Sequence, residues 1–153
     1  MLPIKNILCP TDFSDPSYEA LSVAGELTIH FGAELYLLHV VAPVPQVVAN
    51  VGPSAFNINT YQLELENDAK KHLDDLIKTK ISNEISVHCT VTHGNPAEKI
   101  LQTATKKHNI DLIVIATYGK SGWRHTLFGS VAERVVRLSP VPVLTVSGKK
   151  REK

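Results

Sequence analysis

Three glycines and a serine lie close together in the C-terminal third of the chain. Gly119 and Gly122 are followed, after six more residues, by Gly129 and Ser130. Backbone amides beside glycine can approach an anion closely because glycine has no Cβ. A helix beginning at Gly129-Ser130 would present unpaired N–H groups and the positive end of its dipole, and the Ser130 hydroxyl adds a donor. The stretch therefore predicts a phosphate-binding loop, with positive charge supplied nearby by Lys120, Arg124 and His125.

This spacing differs from the common phosphate-binding motifs. The chain contains neither G-x-x-x-x-G-K-[ST] nor G-x-G-x-x-G. The glycines could instead only shape a turn, and Gly129-Ser130 could only begin a helix. The loop residues by themselves leave both interpretations open.

Asp12 is the carboxylate in the most informative position. It follows an apolar run directly, and in a parallel sheet the side chains just beyond a central strand face the ligand crevice. Asp12 could equally cap the turn or the helix that follows, and its position leaves the two roles evenly balanced. His39 ends another apolar run and is expected to be a hydrogen-bonded core histidine rather than a ligand.

The seven histidines and two cysteines show no metal-binding pattern. Neither H-x-x-H nor H-E-x-x-H occurs, and no cysteine lies near a histidine in a zinc motif. Cys9 and Cys89 both fall in predicted strands and are expected to be buried free thiols. A G-x-S-x-G elbow and a carboxylate pair suited to glycoside hydrolysis are also lacking, so binding is favoured over catalysis.

The elements that position these residues alternate along the chain. Apolar, β-branched runs predict strands at residues 4–10, 34–41, 85–92, 112–116 and 141–146. Capping signals and apolar periodicity predict helices at residues 14–32, 61–82, 95–107 and from Gly129-Ser130 onwards. The last helix should bury Val131, Val135 and Leu138. This alternation predicts an α/β fold with an open, doubly wound, five-stranded parallel sheet and helices on both faces.

Length and charge limit the class of protein. The 153 residues suffice for one domain, which we expect to span residues 1–147, with a disordered basic tail at 148–153. A net charge of +1 gives no support to a nucleic-acid surface. No apolar run approaches the ~20 residues of a membrane helix, and residues 1–10 lack a signal-peptide core. We therefore expect a cytoplasmic protein with no nucleic-acid or membrane partner.

Several motifs together resemble those of the universal stress protein family, in order and spacing over nearly the whole chain. They are I-L-C-P-T-D-F-S at Ile7–Ser14, L-L-H-V at Leu37–Val40, H-G-N-P at His93–Pro96, G-K-S-G and G-S-V-A-E-R-V between Gly119 and Val135, and P-V-P-V-L-T-V at Pro140–Val146. The resemblance implies the strand order 3-2-1-4-5, in which Asp12 and Gly119 face one crevice. It also implies a homodimer joined through the last strand, Val141–Val146.

The resemblance further implies an adenine-nucleotide site, with one departure. Nucleotide-binding members of the family carry G-x-x-G-x(9)-G-[ST] after strand four, and members without the glycines do not hold ATP. Gly119 and Gly129-Ser130 match this motif, whereas Ala116 replaces its first glycine. If φ of Ala116 is negative, the methyl adds only some crowding of a ribose; if φ is positive, it costs about 1 kcal/mol.

By resemblance, residues from four places would bind the nucleotide. Base and ribose would meet Pro10, Thr11 and Asp12, the adenine edge would meet the Val40 backbone, and the remaining predicted site residues are Ala116, Gly119, Ser121, Gly122, Gly129, Ser130 and Val131. The implied ligand is ATP, with ADP, AMP and cyclic AMP as alternatives, and any Mg²⁺ would be bound through the phosphates.

Three functions compete at this point. The first is an ATP-binding stress-response or signalling protein. The second is a dimeric interaction protein of the same fold that binds no nucleotide, and the evidence for it is Ala116 in place of the first glycine of the motif. The third is slow ATP hydrolysis, which we rank last because the sequence shows no metal-binding carboxylate pair beside the phosphate loop.

Overall fold

The computed structural model describes residues 3–44, 57–106, 109–118 and 128–147. Within these residues, five strands alternate with four helices. The strands are β1 (Asn6–Pro10), β2 (Glu34–Val41), β3 (Val87–His93), β4 (Leu112–Ala116) and β5 (Val143–Val146). The helices are α1 (Asp15–Phe31), α2 (Ile58–Lys80), α3 (Pro96–Lys106) and α4 (Ser130–Leu138). The predicted tail at 148–153 lies outside the described residues.

The strands form one parallel sheet in the order β3-β2-β1-β4-β5. β1 lies in the centre, paired with β2 on one side and with β4 on the other, where Leu8 is opposite Ile113. The direction of strand progression reverses between β1 and β4, so that a crevice opens at their carboxyl ends. The predicted fold class and strand order are confirmed.

Helices cover both faces of the sheet because side chains alternate along each strand. On one face, α1 and α2 pack over a buried cluster that includes Ile7, Cys9, Leu37 and Val114. On the other face, α3 and α4 pack over a cluster that includes Leu8, Leu38, Ile113 and Ile115. Consecutive residues along β1, and likewise along β4, therefore belong to opposite layers of the core.

Helix α1 begins and ends where the sequence predicts. The Ser14 side chain accepts a hydrogen bond from the Ser17 backbone N–H at 3.4 Å, and Pro16 lies in the first turn. Gly32 ends the helix with φ of 61°, a left-handed conformation that glycine adopts without steric cost. No described helix is long and apolar enough to cross a membrane.

Helix α2 begins three residues earlier than predicted. The Asn57 carboxamide accepts hydrogen bonds from the N–H groups of Asn59 and Thr60 at 3.0 and 3.3 Å, which makes Asn57 the N-cap. Asparagine is among the preferred residues at this position, so the signal was present in the sequence. The helix also ends at Lys80, two residues short of the predicted end.

The strands β1 and β3 start two residues later than predicted. The N–H groups of Lys5 and Asn6 both donate to the Asp111 carboxylate, at 2.8 and 3.0 Å, so a side chain replaces a strand as the acceptor for these two donors. Before β3, the Ile85 N–H donates to the Ser82 carbonyl at 3.1 Å in a turn. In both places a local or long-range bond competes with the sheet ladder.

The strand β5 also starts two residues late, at Val143. The Val141 N–H donates to the Ser139 hydroxyl, whose own O–H donates to the Val141 carbonyl. Pro142 has no N–H, although its carbonyl accepts from Ile113 N at 3.0 Å. Neither residue can therefore extend the ladder as a full strand residue.

Two predictions about burial are wrong. Leu138 is 52% exposed, and the buried face of α4 is formed by Ala132 and Val135. At 3.6 residues per turn, Leu138 lies roughly 120° around the helix from Ala132. Cys89 is exposed because it lies on the edge strand β3, whereas Cys9 on the central strand is fully buried as predicted.

We predict that Asp111→Ala will lower the free energy of unfolding by about 1–2 kcal/mol, since two backbone donors lose their shared acceptor. Asp111→Asn keeps an acceptor oxygen and should lose less. Urea unfolding of the two variants and the parent measures the difference. Equal stability of Asp111→Ala and parent would show that this contact contributes nothing.

Candidate functional site

A cavity of about 260 Å³ lies at the carboxyl ends of the central strands. Eight of the predicted site residues line it: Pro10, Thr11, Asp12, Val40, Ala116, Gly129, Ser130 and Val131. Gly119, Ser121 and Gly122 lie outside the described residues, as do the charged residues Lys120, Arg124 and His125. The structure thus brings together residues that are more than a hundred positions apart in the sequence.

Sequence reasoning missed part of the cavity wall. Pro96 and Ile100 of α3 line the cavity, and so do Leu38 and Ile115 from the strands. Strand alternation could have found Leu38, because it points to the same face as Val40. Pro96 belongs to the H-G-N-P motif, but the residue types of that motif do not indicate which face of α3 meets the site. The other lining residues not predicted are Ser17, Thr117, Tyr118 and Ala132.

The N-terminus of α4 differs from those of the other described helices. Ser14 caps α1, Asn57 caps α2, and the Asn95 carboxamide accepts from Glu98 N at 3.2 Å at the start of α3. The N-cap of α4 is Gly129, which makes no side-chain cap hydrogen bond. The first N–H groups of a helix have no partner within it, so the start of α4 presents donors and a positive dipole end at the cavity wall.

Glycine at position 129 is favoured by the limited space around it and not by its backbone angle. Its φ of −68° suits any residue, but its N–H donates to the Thr117 carbonyl at 2.6 Å. A Cβ at this position would lie 3.3 Å from the same carbonyl oxygen, which is a tight contact with backbone. Glycine therefore allows α4 to begin directly against the end of β4.

Hydrogen bonds hold Thr11, at the start of the turn before α1, in place. The Thr11 N–H donates to the Leu38 carbonyl at 2.9 Å, and the Thr11 hydroxyl lies 2.9 Å from the Ser17 hydroxyl. The Thr11 carbonyl lies 2.9 Å from Nδ1 of His39, which must donate because a carbonyl only accepts. His39 is thus half-buried and hydrogen-bonded to the backbone, in agreement with its predicted role.

Asp12 has both of the roles that the sequence left open, since it caps a turn and lines the cavity. Its Oδ1 accepts from the Ser14 N–H at 3.1 Å and also from the Ser14 hydroxyl, so the carboxylate caps the turn before α1. It also lines the cavity, where it is the one charged side chain among the described lining residues. The turn role is therefore present, and it orients the carboxylate beside the crevice.

Phe13 follows in a left-handed conformation, with φ of 63°. Residues with side chains rarely adopt this conformation, and such strain persists only where the surroundings hold it. Here the ring stacks on His39 with a centroid distance of 4.4 Å and contacts His72 of α2 at 5.2 Å. These contacts fix the turn that places Asp12.

Ala116 lines the cavity and is also part of the core layer beneath α1. Among the described non-glycine residues only Phe13 and Asn109 have positive φ, so φ of Ala116 is negative. Ala116 packs in the cluster beneath α1, whereas the preceding Ile115 packs beneath α3 and α4, on the side where the cavity lies. The replacement of glycine by Ala116 is therefore the negative-φ case, in which the methyl adds only some crowding of a ribose.

The surrounding side chains offer little chemistry of their own. Burial raises the pKa of the Cys9 thiol, next to Pro10, to about 12, which keeps the sulfur protonated and poorly nucleophilic. In the part of the chain that the structure describes, no three His, Cys, Asp or Glu side chains lie close enough to share a metal ion. The arrangement is suited to holding an anion with backbone donors.

The chain belongs to the universal stress protein family, whose model matches residues 3–147. The universal stress protein MJ0531 of Methanocaldococcus jannaschii is 36% identical over 148 residues, which cover 97% of this chain and 85% of that relative. MJ0577 of the same organism is 30% identical over 156 residues, covering 95% and 96%. The family resemblance seen in the sequence motifs is confirmed.

Solved structures agree with this assignment. The structure of MJ0577 is similar with a TM-score of 0.78 and 29% identity, covering 96% of this chain and 98% of that one. The universal stress protein from Archaeoglobus fulgidus in complex with dAMP has a TM-score of 0.62 and 20% identity, covering 95% and 98%. The second likeness concerns the fold alone.

We predict that Asp12→Ala will lower the unfolding free energy of the ligand-free protein by about 1 kcal/mol, because the Ser14 N–H loses its side-chain acceptor. Asp12→Asn retains that acceptor and should stay close to the parent. Thermal unfolding followed by circular dichroism measures both. An Asp12→Ala variant as stable as the parent would mean that the turn contact is energetically neutral.

Proposed function

We propose that this protein binds an adenine nucleotide in the cavity, with ATP ahead of ADP, AMP and cyclic AMP, and that it acts in the cytoplasm as a homodimer in stress response or signalling. The observation that carries the nucleotide proposal is the start of α4, which lacks a side-chain cap and faces the cavity. The phosphates would lie on the backbone donors of Ser130 and Val131, with any Mg²⁺ bound through the phosphates.

The rest of the cavity suits a nucleoside. Val40, Leu38, Ile100 and Ile115 provide an apolar wall on which a purine base can pack, while Thr11 and Asp12 provide polar atoms for base or ribose. No lysine or arginine lines the cavity within the described residues, so backbone N–H groups and the helix dipole carry the attraction for phosphate there. The Archaeoglobus fulgidus relative solved with dAMP supports an adenine ligand for this fold.

The position of Ala116 favours nucleotide binding over the second function. That function, a dimeric interaction protein without nucleotide, depended on the loss of the family's first glycine. Because φ of Ala116 is negative and its methyl packs under α1, the substitution leaves the α4 side of the cavity open. The departure from the family motif therefore gives little reason to exclude ATP.

Gly129→Val should abolish ATP binding measured by isothermal titration calorimetry, since the branched side chain would press on the Thr117 carbonyl and occupy the approach to the α4 donors. Gly25→Ala, inside α1, is the control, because its Cβ would make only an ordinary 3.5 Å contact with the Ile85 side chain. Ala116→Gly should change the affinity by less than about threefold. A folded Gly129→Val variant that binds ATP as tightly as the parent contradicts the proposal.

The homodimer proposal rests on the edge strand β5. Within the described residues β5 pairs only with β4, so one side of its backbone faces outwards. Leu144 on this strand is 38% exposed, and Val136 and Leu138 on the preceding helix are 45% and 52% exposed. Two copies related by a two-fold axis could pair this strand antiparallel to itself and cover these apolar side chains.

Leu144→Lys should shift the protein from dimer towards monomer in sedimentation equilibrium, because two lysines would be brought together near the two-fold axis. Leu63→Lys is the control, since Leu63 is 57% exposed on α2 and far from β5 in the sheet order. A parent protein that sediments as a monomer at micromolar concentration would refute the dimer.

A further inference from the structure

One buried polar atom in the described residues is left without a partner. The hydroxyl oxygen of Thr117 is shielded from solvent and makes no hydrogen bond in the part of the chain that the structure describes. Thr117 as a whole is 7% exposed and lines the cavity. Buried hydroxyls normally have partners, so an unpaired one at a ligand site calls for a functional explanation.

Two hydrogen bonds hold the backbone of Thr117 in place. Its N–H donates to the Val146 carbonyl at 2.9 Å, which continues the ladder beyond β4, and its carbonyl accepts from Gly129 N. Thr117 is the first residue after β4, and it lines the cavity together with Ile115, Gly129 and Ser130. Because its carbonyl contacts the Gly129 N–H, Thr117 lies beside the uncapped start of α4.

We propose that the Thr117 hydroxyl donates a hydrogen bond to the phosphate group held at the N-terminus of α4 and so helps to distinguish nucleotide from nucleoside. This inference rests on the proposed function. The ligand would reach the oxygen by rotation of the side chain about its Cα–Cβ bond, which exchanges hydroxyl and methyl between staggered positions. The anion then provides the acceptor that the described residues lack.

Such a contact has opposite effects on the free and the bound protein. In the free protein the Thr117 hydroxyl is destabilising, because it has lost water without gaining a partner among the described residues. In the complex, an O–H donor to a charged phosphate oxygen in a shielded site is among the stronger kinds of hydrogen bond. Removal of the hydroxyl should therefore stabilise the free protein and weaken phosphate binding, a combination that a purely structural role would not produce.

The test compares Thr117→Val, which keeps the shape and removes the hydroxyl, with Thr117→Ser, which keeps the hydroxyl. Thr117→Val should raise the Tm of the ligand-free protein by about 2–4 °C. It should weaken ATP binding about tenfold or more in calorimetry, and leave adenosine binding within about twofold. Thr117→Ser should bind ATP within about threefold of the parent.

Thr28→Val is the matched control, because the Thr28 hydroxyl is equally buried but already donates to the Ala24 carbonyl at 2.7 Å. It should neither raise the Tm nor change ATP affinity. The inference is overturned if Thr117→Val binds ATP like the parent, if it loses adenosine and ATP affinity equally, or if it lowers the Tm. A parent that binds no adenine nucleotide overturns the proposed function and this inference with it.

Discussion

The site depends above all on the pairing of β1 with β4 at the centre of the sheet. The register Ile7 to Leu112 and Leu8 to Ile113, continued along both strands, brings Asp12 level with Thr117. Because both strands run in the same direction, the turn before α1 and the start of α4 meet at one edge. The remaining elements hold this edge in place: β2 supplies Val40, and α3 closes the side with Pro96.

The alternation of apolar runs was enough to predict the layers of the fold. β4 is flanked by polar or glycine-containing segments, and its limits were predicted without error, because a run buried on both faces leaves little ambiguity. The limits of β1 and β5 were wrong where side chains compete with the ladder. Asp111 binds the backbone about a hundred residues away, and Ser139 binds Val141, and neither contact has a signature in local hydrophobicity.

The site residues that act through their backbone or through a charged group could be predicted from the sequence. Those that belong to the site only because of how the elements pack could not. Glycine before a helix and a carboxylate after a strand are visible in the sequence, so Gly129 and Asp12 were found. Ile100 and Thr117 were not, since an apolar helix residue and a strand-end threonine are common everywhere. That α4 alone among the described helices lacks a side-chain cap follows from the glycine at its N-cap, but its meaning depends on the cavity in front of it.

The central position of β1 also determines the order in which the chain can be assembled during synthesis. Residues 6–93 can pair as β1, β2 and β3 beneath α1 and α2 as soon as they leave the ribosome. The opposite face, with Leu8 and Leu38, stays uncovered until α3 and α4 have been made, because both lie later in the chain. The crevice is therefore completed only in the last stage of synthesis, and the nascent chain carries a temporary apolar face until then.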